Sequence, residues 1–264
     1  MYLRLALAAC LVATPLFADT VDLQGHAIEV VDTEAGQALL VDGAKAHEDG
    51  VIYLDTQPRE VGGATVLVGA AGSGGNICNA GPFVLSLQEG VFHFDGPADS
   101  CAYLEQTIGA DAVDFVSAPS AAWAGEHWRW TPVEGLVRLD PVTFKPDPSK
   151  GWDQLGELEG AHPLDVFRLG PIADQIYALL GEEEGDTFVD LLSGVGSGGL
   201  AAPGYVGSGH NIDGSYAVVI LDAATRQPYL AWAFGGGEIQ TRPEGLENWS
   251  PGAIRALKTW SEAQ

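Results

Sequence analysis

Positive charge is scarce in this chain: 264 residues carry 12 Lys and Arg against 36 Asp and Glu, a formal net charge of −24. Without a basic surface to displace counterions, nucleic-acid binding is not expected, and docking on anionic lipid is equally disfavoured. Sulfur is scarce too, with three cysteines and one methionine. No C-x-x-C and no paired-histidine spacing occurs, so no metal site is expected. Beyond the N-terminus no apolar run reaches the roughly 18 residues of a membrane span. Reaction motifs are missing as well. Ser73, Ser197 and Ser208 each lack the glycine two residues earlier that G-x-S-x-G demands. Neither G-x-x-x-x-G-K-[ST] nor H-E-x-x-H appears, and the glycine runs do not follow the strand–loop–helix order of a dinucleotide site. No cofactor is implied.

What remains is a chain with 46% apolar residues, ample for a packed core, and 35 glycines to punctuate it. Met1-Tyr2-Leu3-Arg4 followed by an apolar run to Phe17 and Ala18-Asp19 reads as an export leader over residues 1–18. Cys10 in Leu7-Ala8-Ala9-Cys10 offers a lipoprotein site as the lesser alternative. Either way the protein is expected to be periplasmic or secreted. Cys78 and Cys101 are then left as an even pair in an oxidising compartment, and a disulfide is expected. The alternative is two buried thiols.

The fold class expected is α+β in two domains. Residues 19–145 show short β-type runs cut by Gly, Pro and Asp: Ala27–Val31, Gln37–Val41, Val51–Asp55, Thr65–Gly69, Phe83–Gln88, Val91–Phe94, Ala112–Val116, His127–Thr131 and Leu136–Asp140. They predict an antiparallel sandwich or barrel-like sheet, with one helical hint at Ser100–Ile108. Pro141–Lys150, with three prolines, reads as a linker or long connection. In residues 146–264 the period changes. Gly170-Pro171 opens a helix that Gly181 ends, and Asp186 is placed to cap a second. Strands are expected at Tyr205–Gly207, Tyr216–Leu221, Tyr229–Phe234 and Glu238–Thr241, forming a small antiparallel sheet. Ser250-Pro251 opens a last helix with Ile254, Leu257 and Trp260 inward. Gly72–Ile77 (GSGGNI) and Gly207–Ile212 (GSGHNI) match at five of six positions, which raises the possibility of an internal duplication. Glu182–Glu184 with Asp186 reads as a solvated charge run at a helix start rather than a calcium site. Trp123, Trp128 and Trp130 read as core in preference to a sugar platform.

One segment stands out. Gly207, Ser208, Gly209, His210, Asn211 and Asp213 fall in a stretch with three glycines in eight residues. Such a stretch would project His210, Asn211 and Asp213 as a rigid binding loop between two strands. The plain alternative is an ordinary hairpin whose Asn-x-Asp-Gly closes a turn.

From about Ile172 to Trp260 the order of elements resembles the Ivy-type lysozyme inhibitors of the Gram-negative periplasm. The likeness lies in the Phe188/Leu192 stripe, a strand ending Val-Gly, a loop, Tyr216-Ala-Val-Val-Ile-Leu-Asp222, a second strand and hairpin, and the terminal Trp249, Ala253, Leu257, Trp260 pattern. In that family the loop is a disulfide-closed C-K-P-H-D-C whose histidine meets the catalytic carboxylates of lysozyme. Laid on Gly209–Gly214, only Asp213 matches: both cysteines are glycine, and the histidine position holds Ile212. The resemblance implies a non-enzymatic binding protein with a cationic partner such as a lysozyme or lytic transglycosylase, which an acidic surface would attract. A periplasmic hydrolase of a saccharide or peptide using paired carboxylates, and a structural envelope protein without a site, are the alternatives.

Overall fold

A computed structural model describes residues 20–75 and 78–263. The expected export leader, Cys10, and Asn76-Ile77 of the first GSGGNI copy lie outside the described residues. Two compact units divide the chain. One runs up to Ser117 and takes Glu126–Asp140 as well; the other comprises Ala118–Gly125 and everything from Pro141 onward.

The first unit is a stack of three antiparallel sheets. The first sheet contains β1 (Val21–Leu23), β2 (His26–Thr33), β3 (Gly36–Val41) and β4 (Ala44–Asp49). The second contains β5 (Val51–Leu54), β6 (Arg59–Val61), β7 (Ala64–Gly72), β8 (Gly81–Gln88) and β9 (Val91–Asp95). The third contains β10 (Glu105–Ile108), β11 (Val113–Val116), β12 (His127–Thr131) and β13 (Gly135–Arg138). The middle sheet is covered on both faces. Leu67, Phe83 and Leu85 pack with Leu23, Ile28 and Leu39; Val66, Val68 and Val84 pack with Val113, Phe115 and Trp130. A strand buried on both sides needs no polar alternation, which accounts for the unbroken Phe83-Val84-Leu85 run. Cys78 and Cys101 are disulfide-bonded.

Four strands here carry no sequence signal of their own. β4 is mostly exposed and charged, as suits a sheet edge, and β1 and β6 span three residues each. The fourth, β10, replaces the helix expected at Ser100–Ile108: its Glu105–Ile108 pairs with Val113–Val116. Trp128 and Trp130 do share a face and pack into the core between the second and third sheets.

In the second unit, β14 (Val195–Ala201), β15 (Gly204–His210), β16 (Tyr216–Asp222), β17 (Gln227–Ala233) and β18 (Gln240–Arg242) form one antiparallel sheet in sequential order. Helix α1 (Gly170–Leu192) covers one face, where Ile172, Ile176, Phe188 and Leu192 meet Tyr205, Ala217, Val219, Leu221 and Trp232. Helix α2 (Pro251–Ser261) covers the other, where Ala253, Leu257 and Trp260 meet Val218, Ile220 and Ala231. β16 thus alternates between two apolar layers and is buried almost throughout.

Three expectations for this unit are corrected. Gly181 does break the helix, with φ of 72°, but the helix resumes at once, so Asp186 lies within it and caps nothing. Ile254 is exposed, because Ala253, Leu257 and Trp260 occupy the inward i, i+4, i+7 stripe and Ile254 falls about 100° away from Ala253. Pro141–Lys150 is no free linker: Val142 bridges to Gly125, Asp147 bridges to Leu169, and Phe144 packs on the core. The described residues are mostly β, with few helices.

Candidate functional site

The structure redraws the GSGHNIDG segment. Gly207, Ser208, Gly209 and His210 are strand, not loop: they pair with Gly198, Ser197, Gly196 and Val195 of β14 and with Val219, Val218, Ala217 and Tyr216 of β16. Their glycines are not hinges. Gly207 is buried where a Cβ would strike the Tyr205 ring, and Gly209 where one would strike the Leu192 backbone. Of the three glycines only Gly214, at φ 81°, has a left-handed backbone. Glycine here serves close packing on one face of the sheet, and the expected stiff finger shrinks to a short turn.

That turn is well defined. Asn211 N donates to Ser215 O at 2.8 Å, and Gly214 N donates to Asn211 O at 3.2 Å. Ser215 N donates to Asp213 Oδ1 at 2.9 Å, and hydrogen bonds from Ser215 hold the Asp213 carboxyl below the usual carboxylate range. Asx-turn chemistry of this kind is what Asn-x-Asp-Gly provides. At the tip stands Ile212, 108% exposed. His210 is exposed at the base of the hairpin, with no side-chain hydrogen bond among the described residues.

Two neighbours share this end of the sheet. Val195, His210, Tyr216 and Ala233 form one row of cross-strand partners, about 5 Å from strand to strand. Ser215 Oγ accepts from Gly235 N at 3.1 Å, which ties the turn to the Phe234–Gly237 connection. Val195 is 72% and Phe234 46% exposed. Three connections therefore bring Val195, Ile212 and Phe234 to the same end as His210 and Asp213. Sequence reading named Ile212 only as a departure from a motif and missed Val195 and Phe234. The available signal was an aliphatic residue at the centre of a polar, glycine-flanked turn, where folding gives it nothing to pack against.

Elsewhere several polar side chains are engaged internally. Glu184 of the charge run forms a two-point ion pair with Arg242 (2.8 and 2.7 Å), whose guanidinium lies over Trp232. Asp114 accepts from His127 Nε2 and Arg129 Nε at 2.7 and 2.8 Å, and the guanidinium foremost holds its carboxyl below the usual range. Among the described residues no group of three or more His, Cys, Asp or Glu is disposed to hold a metal ion.

Comparison with known proteins gives two family matches. Residues 24–143 match the Y4bG N-terminal domain, and residues 171–264 match the family Inhibitor of vertebrate lysozyme (Ivy). A protein of Sinorhizobium fredii (strain NBRC 101917 / NGR234), named Uncharacterized protein y4bG, is 31% identical over 248 residues, which cover 92% of this chain and 90% of that protein. No solved structure matches significantly.

Proposed function

The chain belongs to the y4bG family and carries an Ivy domain over residues 171–264, and from that premise we propose that it is an exported, lysozyme-inhibitor-like protein. It binds a cationic cell-wall lytic enzyme, a lysozyme or a lytic transglycosylase, through the end of the second unit's sheet around Ile212. The observation that carries this reading is the fully exposed Ile212 on a rigid turn within the Ivy domain. An aliphatic side chain held clear of its own fold has no structural task, and in an interface it is an anchor for a partner's cleft. Val195 and Phe234 widen the apolar contact, while His210 and Asp213 supply the polar edge. A net charge of −24 raises the encounter rate with a basic enzyme.

A hydrolytic role draws no support from the acids. A general acid needs a carboxyl pushed upward, whereas Asp42, Glu48, Asp114, Asp147, Asp213 and Asp222 are all held downward, with hydrogen-bond donors outweighing any effect of burial.

Titration calorimetry of the mature chain against a cationic lysozyme and a lytic transglycosylase tests the proposal. Binding heat is expected at low salt and should weaken as salt rises. Ile212→Ser should weaken binding roughly tenfold, the equivalent of losing one buried aliphatic anchor. His210→Ala with Asp213→Ala should weaken it further without unfolding. Absence of heat with every such enzyme at low salt would remove the proposal; full affinity in Ile212→Ser would remove the hairpin from it.

A further inference from the structure

A pocket of about 330 Å³ opens in the first unit, at the low end of the range for small-molecule sites. Residues of two edge strands line it, Tyr53 and Leu54 from β5 of the middle sheet and Gln106 from β10 of the third. Tyr53 on β5 and Tyr103 just beyond the disulfide line it, 64% and 75% exposed. Both exposures have a local cause. Ile52 and Leu54 turn into the core between the first and second sheets, so strand alternation leaves Tyr53 on the opposite side. Tyr103 follows Cys101 outside any strand. Neither ring is used by the fold, yet they meet at one pocket.

The lining is chemically selective. Leu54, Val68, Ala70, Pro82 and Phe115 give it apolar surface, and Asp55, Asn79 and Gln106 add polar groups. No Lys, Arg or His lines it, which excludes an anionic ligand. Asn79 is held in place, its Nδ2 donating to the Cys101 carbonyl at 2.9 Å beside the disulfide. Its Oδ1 has no partner among the described residues. Asp55 Oδ1 accepts from Gln57 N, leaving Oδ2 as a free acceptor among them.

Exposed aromatic rings beside an apolar surface, with planar amides and one carboxylate around them, suit a ligand with a C–H face, several hydroxyls and a small apolar substituent. We infer that this pocket binds a neutral N-acetylated saccharide. The tyrosine rings take the C–H face of the sugar, and the acetamido methyl group rests on Ala70. The acetamido N–H donates to Asp55, and hydroxyls pair with Asn79 and Gln106. The fixed position of Asn79 limits the ordering cost of binding. A proline-rich peptide has few backbone N–H groups to give Asp55, and for that reason it is the poorer occupant.

Saturation-transfer NMR with chitotriose on the full, disulfide-intact chain tests this. Transfer to the acetamido methyl protons is expected, with maltotriose, which lacks them, much weaker. Tyr53→Ala and Tyr103→Ala should each weaken binding roughly tenfold while leaving the thermal melt unchanged, since both rings are exposed; Tyr103→Phe should retain it. No transfer at millimolar chitotriose, equal transfer in the Tyr53→Ala/Tyr103→Ala variant, equal binding of maltotriose, or displacement of the sugar by a tighter proline-rich peptide would each overturn the assignment. Ile212→Ser should leave it untouched, so the pocket and the hairpin stand or fall separately.

Discussion

The Tyr205 side chain is fully buried, and its hydroxyl has no hydrogen-bond partner among the described residues. The ring lies against Gly198 and Gly207, where an added Cβ would collide with it. Burial foremost, and the nearby Asp165 and Glu159 after it, push the phenol well above its ordinary acidity range. An unpaired buried hydroxyl costs about 1–3 kcal/mol, so Tyr205→Phe should raise the urea midpoint by a gain at the lower end of that range. Gly198→Ala should lower the unfolding free energy by about 1–3 kcal/mol through overpacking. These outcomes separate packing from hinge behaviour: if glycine were present for loop flexibility, Gly198→Ala would be neutral. The residue scale was the hardest to read from sequence. A glycine that admits a ring and a glycine that admits a turn look identical in one dimension, and only the partner across the strand distinguishes them.

Among the elements, the joint between the sheet and α2 shows how one carboxylate holds two segments. Asp222, 4% exposed at the end of β16, accepts from Ala224 N and Thr225 N through Oδ1 and from the Ser250 hydroxyl through Oδ2. Ser250 Oγ in turn accepts from Ala253 N and caps the helix. Burial raises the Asp222 carboxyl, but these donors outweigh it and leave it below the usual range. Asp222→Ala should cost on the order of 2–4 kcal/mol, because a hydroxyl and two backbone N–H groups lose their acceptor. A depressed folded value means the stabilisation is present above the unfolded carboxylate pKa of about 3.9 and fades as pH falls through the folded value. Asp222→Asn should therefore flatten the acid limb of a stability–pH curve below about pH 4; an unchanged limb would show that other carboxylates govern acid unfolding. The Ser250-Pro251 cap was legible because capping is local. β14, with three glycines in seven residues, was not: its strand state depends on seven cross-strand partners in β15, against its own poor propensity.

For the molecule as a whole, the informative quantities are the cross-link and the charge. The Cys78–Cys101 bond spans 23 positions in the sequence, and in the chain-entropy model a loop of that size contributes roughly 3 kcal/mol. Cys78→Ser with Cys101→Ser should lower stability by about that amount in urea unfolding. The same variant should weaken chitotriose binding, because Asn79 and Tyr103 flank the bridge. Lysozyme binding should survive, because Ile212 belongs to the other unit. Loss of both activities together would instead mean that the two units depend on each other.

Sequence alone determined what depends on near neighbours or on composition. The scarcity of positive charge, the Gly181 break, the α2 cap, the Asn-x-Asp-Gly turn and the cysteine pair all follow from a few residues and short-range chemistry. Tertiary structure decided what depends on distant partners. It covered both faces of β7 and β8, drew Gly207–His210 into a strand, packed Pro141–Lys150 onto a core, and gathered Val195, Ile212 and Phe234 at one sheet end. The physical reason is that strand pairing and burial are settled between segments far apart in the chain. The same Gly-Ser-Gly is a loop or a strand according to what lies beside it.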